Sequence, residues 1–204
     1  MRDAPQVRSI EQLTTPRPVM MPPPDVFDSD LAEIESSLRS SVPEEILKRI
    51  RTARNLLVYG AFCYEFVSVA VLWCLTCVEM ALWEKFTEVN PGPLPAEDRK
   101  GNRVFVVAKQ LAFGLPRKYR LVGIPKFNGS FRSLVIWGTE QGLVREPERL
   151  DSMVKLRNSF AHPKEFNTIW SPGMAVTIFQ SAIEIIGELW PLEMPSTRRN
   201  EEQR

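Results

Sequence analysis

Arg157, Asn158 and His162 are the residues of this 204-residue chain whose types and spacing suit proton transfer on a charged substrate. His162 is its single histidine. An imidazole with an ordinary pKa of about 6.5 gives or takes a proton near neutrality. Arg157 stays charged and can hold a phosphate by two parallel hydrogen bonds. Asn158 stands four residues before His162, on the same helical face, placed to orient the imidazole or to bond a substrate backbone. Arg157, five residues before, falls well round an ideal cylinder, and an opened last turn brings the two together. Metal-independent cleavage of RNA asks for these groups. It needs a base for the ribose 2′-OH, a cation for the phosphorane and an acid for the departing 5′-oxygen. With one histidine per chain, a two-histidine mechanism draws on two chains.

The element that must carry them is an amphipathic helix. Leu150, Met153, Val154, Leu156, Phe160 and Ala161 recur at roughly helical spacing, and Pro163 stops the run. His162 then falls in the last turn, where the helix dipole favours a positive imidazole. A purely structural reading of the same residues pairs Arg157 with a carboxylate such as Glu84 or Glu140 and leaves His162 as a helix cap. Before it, Phe131–Gly142 reads as a helix capped by Asn128 or Ser130. Further upstream, Ala61–Val89 is apolar nearly all round through its middle, as a central bundle helix is. Glu79 lies within it, either as a carboxylate bonded to Arg157 across the bundle or as an exposed residue on the helix edge. The sequence leaves both open.

The Arg157-Asn158-x-x-x-His162 pattern, set after the Phe131–Gly142 helix and below the Val67–Trp83 stretch, resembles the R-x(4-6)-H motif of the HEPN superfamily (higher eukaryotes and prokaryotes nucleotide-binding domains). The resemblance covers about Ile46 to Pro191. It implies a HEPN-like helical bundle and a metal-independent endoribonuclease that leaves 2′,3′-cyclic phosphate and 5′-OH ends. It also implies a homodimer with a composite active site, both motifs facing one cleft. On that resemblance Arg157 and His162 are the catalytic pair and Asn158 the supporting polar residue. A toxin or anti-phage effector of this kind is restrained or triggered by an antitoxin or a second regulatory protein. Some toxin members carry tyrosine two residues after the histidine. Here that position is Lys164, which adds positive charge beside the site instead. The alternative from a different class is a non-catalytic helical module that binds RNA or a protein partner.

Charge distribution points the same way as the motif. Between Arg99 and Thr139 there is no Asp or Glu, while lysines and arginines alternate with aromatic residues. Cations neutralise phosphates and rings stack on unpaired bases, a combination suited to single-stranded RNA. Arg117, Lys118, Tyr119 and Arg120 are the RNA-binding candidates, with Lys164. Phe105 and Phe131 are read as core instead.

The remaining segments complete an all-α reading, since no run alternates at period two. Residues 1–27 form a proline-rich flexible arm, residues 28–192 the helical domain and residues 193–204 a polar tail. Asp28-Ser29-Asp30 caps a helix to about Ser40. Pro43 opens the next, which runs to Tyr59 with a break at Gly60. Asn90–Pro95 is a loop, Arg103–Phe113 a helix and Gly114–Gly129 an irregular excursion. Ser171 and Pro172 start the last helix, ending before Pro191. Cys63, Cys74 and Cys77 make an odd set in an apolar segment, which fits a reducing cytoplasm better than a disulfide framework. Cys74-Leu75-Thr76-Cys77 reads as core cysteines. The uncharged run Phe66–Val78 is short of a membrane span, so no membrane is expected. Nor is a metal or other cofactor.

Overall fold

The computed structural model describes residues 22–38, 40–111, 118–124, 127–161 and 171–191. Seven helices and three strands fall within them. Helices α1 (Pro24–Ser36), α2 (Glu44–Tyr59) and α3 (Glu65–Val89) come first, followed by strands β1 (Pro93–Asp98) and β2 (Arg103–Val107). Then come α4 (Ala108–Leu111), β3 (Tyr119–Leu121), α5 (Phe131–Glu140), α6 (Pro147–Ala161) and α7 (Pro172–Leu189). The fold is mostly helical, and its centre is α3. Val67, Ala70, Val71, Cys74, Leu75, Val78, Ala81, Leu82 and Phe86 of α3 are buried, on more than one side of the helix. They pack against α2, α4, α5, α6 and α7. That packing is the physical reason the helix is apolar nearly all round.

α3 is also the one described helix long and apolar enough to cross a membrane, with a mean hydropathy of 1.9 over its most apolar stretch. Half of that stretch is buried inside the molecule. Phe66, Val69 and Leu72 lie on its uncovered side.

The helix boundaries follow local chemistry. Ser130 accepts from the Ser133 amide at the start of α5, and Ser171 from the Met174 amide at the start of α7, where Pro172 takes the first position. Each satisfies an amide that the first turn leaves without a partner. α1 begins at Pro24 rather than at the expected Asp28 cap, and Phe27 is buried in the core. Its apolar stripe therefore opens one turn earlier than Leu31, inside the segment expected to be an arm. Residues 1–21 and 192–204, the rest of the expected arm and the tail, lie outside the described residues.

The all-α expectation is corrected by an antiparallel sheet of order β2-β1-β3 inserted between α3 and α5. The expected loop at Asn90–Pro95 contributes its central strand, and the expected helix at Arg103–Phe113 is a strand up to Val107 with one helical turn after it. Two physical facts explain the difference. Val104, Phe105, Val106 and Val107 are strand-favouring residues. The prolines of β1 fit because of register. Asp98 donates its amide to the Asn102 carbonyl, so Ala96–Val104 and Leu94–Val106 are the pairs that exchange bonds with β2. Pro93 and Pro95 turn their nitrogens the other way, toward the β3 edge, where the Pro95 carbonyl still accepts from the Val122 amide at 2.9 Å. No ladder donor is lost to β2.

Candidate nucleolytic site

α6 places its residues by the stripe that buries it. Leu150, Met153 and Val154 are buried, and the next positions of the same stripe are Arg157 and Phe160. At Arg157 an apolar side chain gives way to a long cationic one. Its aliphatic stem can lie along the core while the guanidinium reaches out. Arg157 Nε comes to 3.3 Å from Glu79 Oε2 of α3. The side chains are 39% and 17% exposed, so the carboxylate is set into the bundle and the guanidinium is more open. This decides between the two readings of Glu79: it is the partner of Arg157 across the bundle. Glu84 and Glu140, the other carboxylates considered for that pairing, are exposed.

Further ion pairs involve the helix that carries Arg157. Lys155 is bound to Asp151 at 2.9 Å on the solvent face of α6, away from Glu79. Arg149 reaches Glu184 of α7 at 2.7 Å and anchors the start of α6. On α3, Trp83 stands one turn after Glu79, about 6 Å along the axis. Trp83 meets Phe127 edge to face at 5.7 Å, and Phe127 stacks on Phe86 at 4.4 Å. The chain that returns from the sheet to α5 therefore rests on α3 close to the ion pair. Among the described residues Arg157 has no partner besides Glu79, and Asn158 is exposed with no side-chain hydrogen bond. A guanidinium fixed at one edge and open elsewhere can still receive a phosphate.

His162, Lys164 and Arg117 lie outside the described residues. Of the expected RNA contacts, Lys118 and Arg120 are exposed, with no ion pair among the described residues. Tyr119 is half-buried against the core, and the Lys118 ammonium sits 4.9 Å from its ring centre. β3 presents this cluster beside the β1–β2 turn. There Asp98 accepts from the Lys100 and Asn102 amides and from Asn102 Nδ2, at 2.8, 3.0 and 2.9 Å. Those bonds, led by the Asn102 side chain, hold the Asp98 carboxyl below its ordinary range.

Phe131 is buried as expected, but Phe105 is not core: at 71% it is the most exposed large hydrophobic side chain among the described residues. Sequence reasoning missed it because the segment was read as a helix, in which Phe105 had no distinct face. The strand-favouring run Val104–Val107 was the signal that could have found it. Cys74 and Cys77 are buried and unpaired, as read. Burial pushes both thiols up, that of Cys77 to about 12. Among the described residues no three His, Cys, Asp or Glu side chains gather as a metal site would need.

Comparison with known proteins adds no relative: no family model, curated protein or solved structure matches this chain.

Proposed function

We propose that the chain is a metal-independent endoribonuclease of HEPN type, working as a homodimer in which two copies of the α6 motif share one cleft. The observation that carries this reading is the Arg157–Glu79 ion pair. It fixes the orientation of a half-exposed guanidinium on the last turns of α6, five residues before the only histidine. In the reaction, His162 takes the proton of a ribose 2′-OH. The freed oxygen attacks the adjacent phosphorus, and the P–O5′ bond breaks. The leaving 5′-oxygen is protonated by an imidazolium, that of the second protomer in a shared cleft. The products are a 2′,3′-cyclic phosphate and a 5′-OH. Arg157 binds the non-bridging oxygens as negative charge builds on them. A preorganised donor of this kind is worth about 10²–10³ in rate. Asn158 orients the imidazole or the scissile backbone.

An activity that cuts cellular RNA fits a toxin or an anti-phage effector, held by an antitoxin or released by a regulatory protein. The test is the chemistry of the ends. Fragments made in EDTA should accept a 5′-phosphate from polynucleotide kinase without prior phosphatase treatment, and should carry cyclic phosphate at the 3′ end. Fragments with 5′-phosphate and 3′-OH ends would exclude this mechanism.

The same ion pair also favours a second reading. Because Glu79 already neutralises part of the Arg157 charge, the motif can serve as a bundle clamp in a non-catalytic module that binds RNA or a protein partner.

A further inference from the structure

The sheet has two unlike faces. Leu94, Ala96, Val104, Val106 and Leu121 turn inward, where Ala96 and Leu121 are buried. The register puts Arg103, Phe105 and Val107 of β2 on the other face, beside Glu97 and Pro95 of β1 and Arg120 of β3. On this outer face Phe105 is 71% and Val107 44% exposed. The side chain of Arg103 is 67% exposed although it is bonded to Glu97 at 2.8 Å. Arg120, across Glu97 from Arg103, has no ion pair among the described residues. Beyond Glu97 the row runs to the β1–β2 turn, where Arg99, Lys100 and Lys118 line a shallow depression of about 560 Å³. Here Asp98 is occupied by backbone amides. The face thus combines one unpacked aromatic ring with Arg103 and Arg120 against one carboxylate already engaged, Glu97, and three further cations stand at the turn beyond its end.

We infer that this outer sheet face is a binding platform for single-stranded RNA, with Phe105 stacking on a base and Arg103 and Arg120 holding the backbone. Phe105 and Arg103 are two residues apart on one strand, roughly 7 Å, so a base on the ring and a neighbouring phosphate on the guanidinium are reached together. A ring with one open face and cations alongside is the arrangement that binds unpaired nucleotides with little sequence preference. Charge complementarity selects a polyanion over an apolar protein surface, which would leave these cations desolvated and without counter-charge. The inference rests on the proposed ribonuclease reading only for its choice of RNA. It assigns no catalytic role to the sheet.

The experiment is fluorescence anisotropy of a labelled oligouridylate in EDTA, with His162→Ala as the parent so that RNA is not consumed. Phe105→Ala and Phe105→Leu should each weaken binding about tenfold or more, while Phe105→Trp keeps it, because stacking needs a π-face. Arg120→Ala should weaken binding and reduce the slope of log K against log salt by about one phosphate contact. A duplex of the same length should compete at least about tenfold less well. Unchanged affinity in folded Phe105→Ala and Phe105→Leu proteins would overturn the inference. So would loss of self-association on Phe105→Ala with RNA binding intact, which would make the face a protein interface. Binding by the platform with no cleavage from the wild type would retain this inference and remove the catalytic one.

Discussion

Arg157 shows how one residue can serve packing and chemistry together. It occupies a core-stripe position of α6, yet it is tied to Glu79 and remains 39% exposed. Partly exposed ion pairs contribute little stability, so Glu79→Gln should cost under about 1 kcal/mol, a shift of a few degrees in melting temperature at most. Its effect on RNA cleavage should be larger. Without its anchor the guanidinium samples other rotamers, and kcat should fall by about tenfold with KM little changed. Arg157→Lys should also lose at least about tenfold, since an ammonium cannot bond Glu79 and a phosphate through a planar fork. Steady-state kinetics beside thermal melting checks both. A melting temperature that drops steeply in Glu79→Gln while activity persists would make the pair structural.

At the scale of elements, the junction between the sheet and α5 is tightly constrained. Gly129 has φ +81°, and a Cβ there would stand 2.6 Å from the Leu111 carbonyl oxygen. The obstacle is backbone, so Gly129→Ala should destabilise by more than about 2 kcal/mol, measured by urea unfolding. Ser130→Ala, which removes only the cap of α5, should cost about 1 kcal/mol. The helices were largely legible because apolar stripes, Ser130, Ser171-Pro172 and Pro43 mark them. The sheet was not, for reasons visible in its residues. Prolines in β1 mimic a loop, and the outward positions of β2 include Phe105 and Val107, so polar and apolar residues do not alternate. The alternation expected of a half-exposed strand was absent because two of its three outward residues, Phe105 and Val107, are apolar. In the candidate site, the placement of Arg157 and Asn158 on one helix was legible from local spacing. The Glu79 pairing remained one of several because only the packing of α6 on α3 chooses among carboxylates so distant in sequence.

For the molecule as a whole, α3 holds the fold, and its cysteines make that measurable. Cys74 and Cys77 stay neutral in the folded protein because burial raises their pKa, to about 12 for Cys77, from an ordinary 9.0. Their contribution to stability is fully present below the unfolded-state pKa near 9.0. Above it the unfolded chain releases protons that the folded chain keeps. Stability should then fall with pH, by up to about 1.4 kcal/mol per pH unit for each thiol, until the folded pKa is reached. Urea midpoints should decline above about pH 9, and Cys77→Ala should flatten the decline relative to the parent.

Ribonuclease activity at Arg157 and His162 is tested by cleavage of a mixed RNA pool in EDTA by the wild type, Arg157→Ala and His162→Ala, all shown to be folded. The wild type should cut, either variant should cut at least about a hundredfold less, and the fragments should carry 2′,3′-cyclic phosphate ends. Equal cutting by all three proteins, or none by any of them, would contradict that assignment.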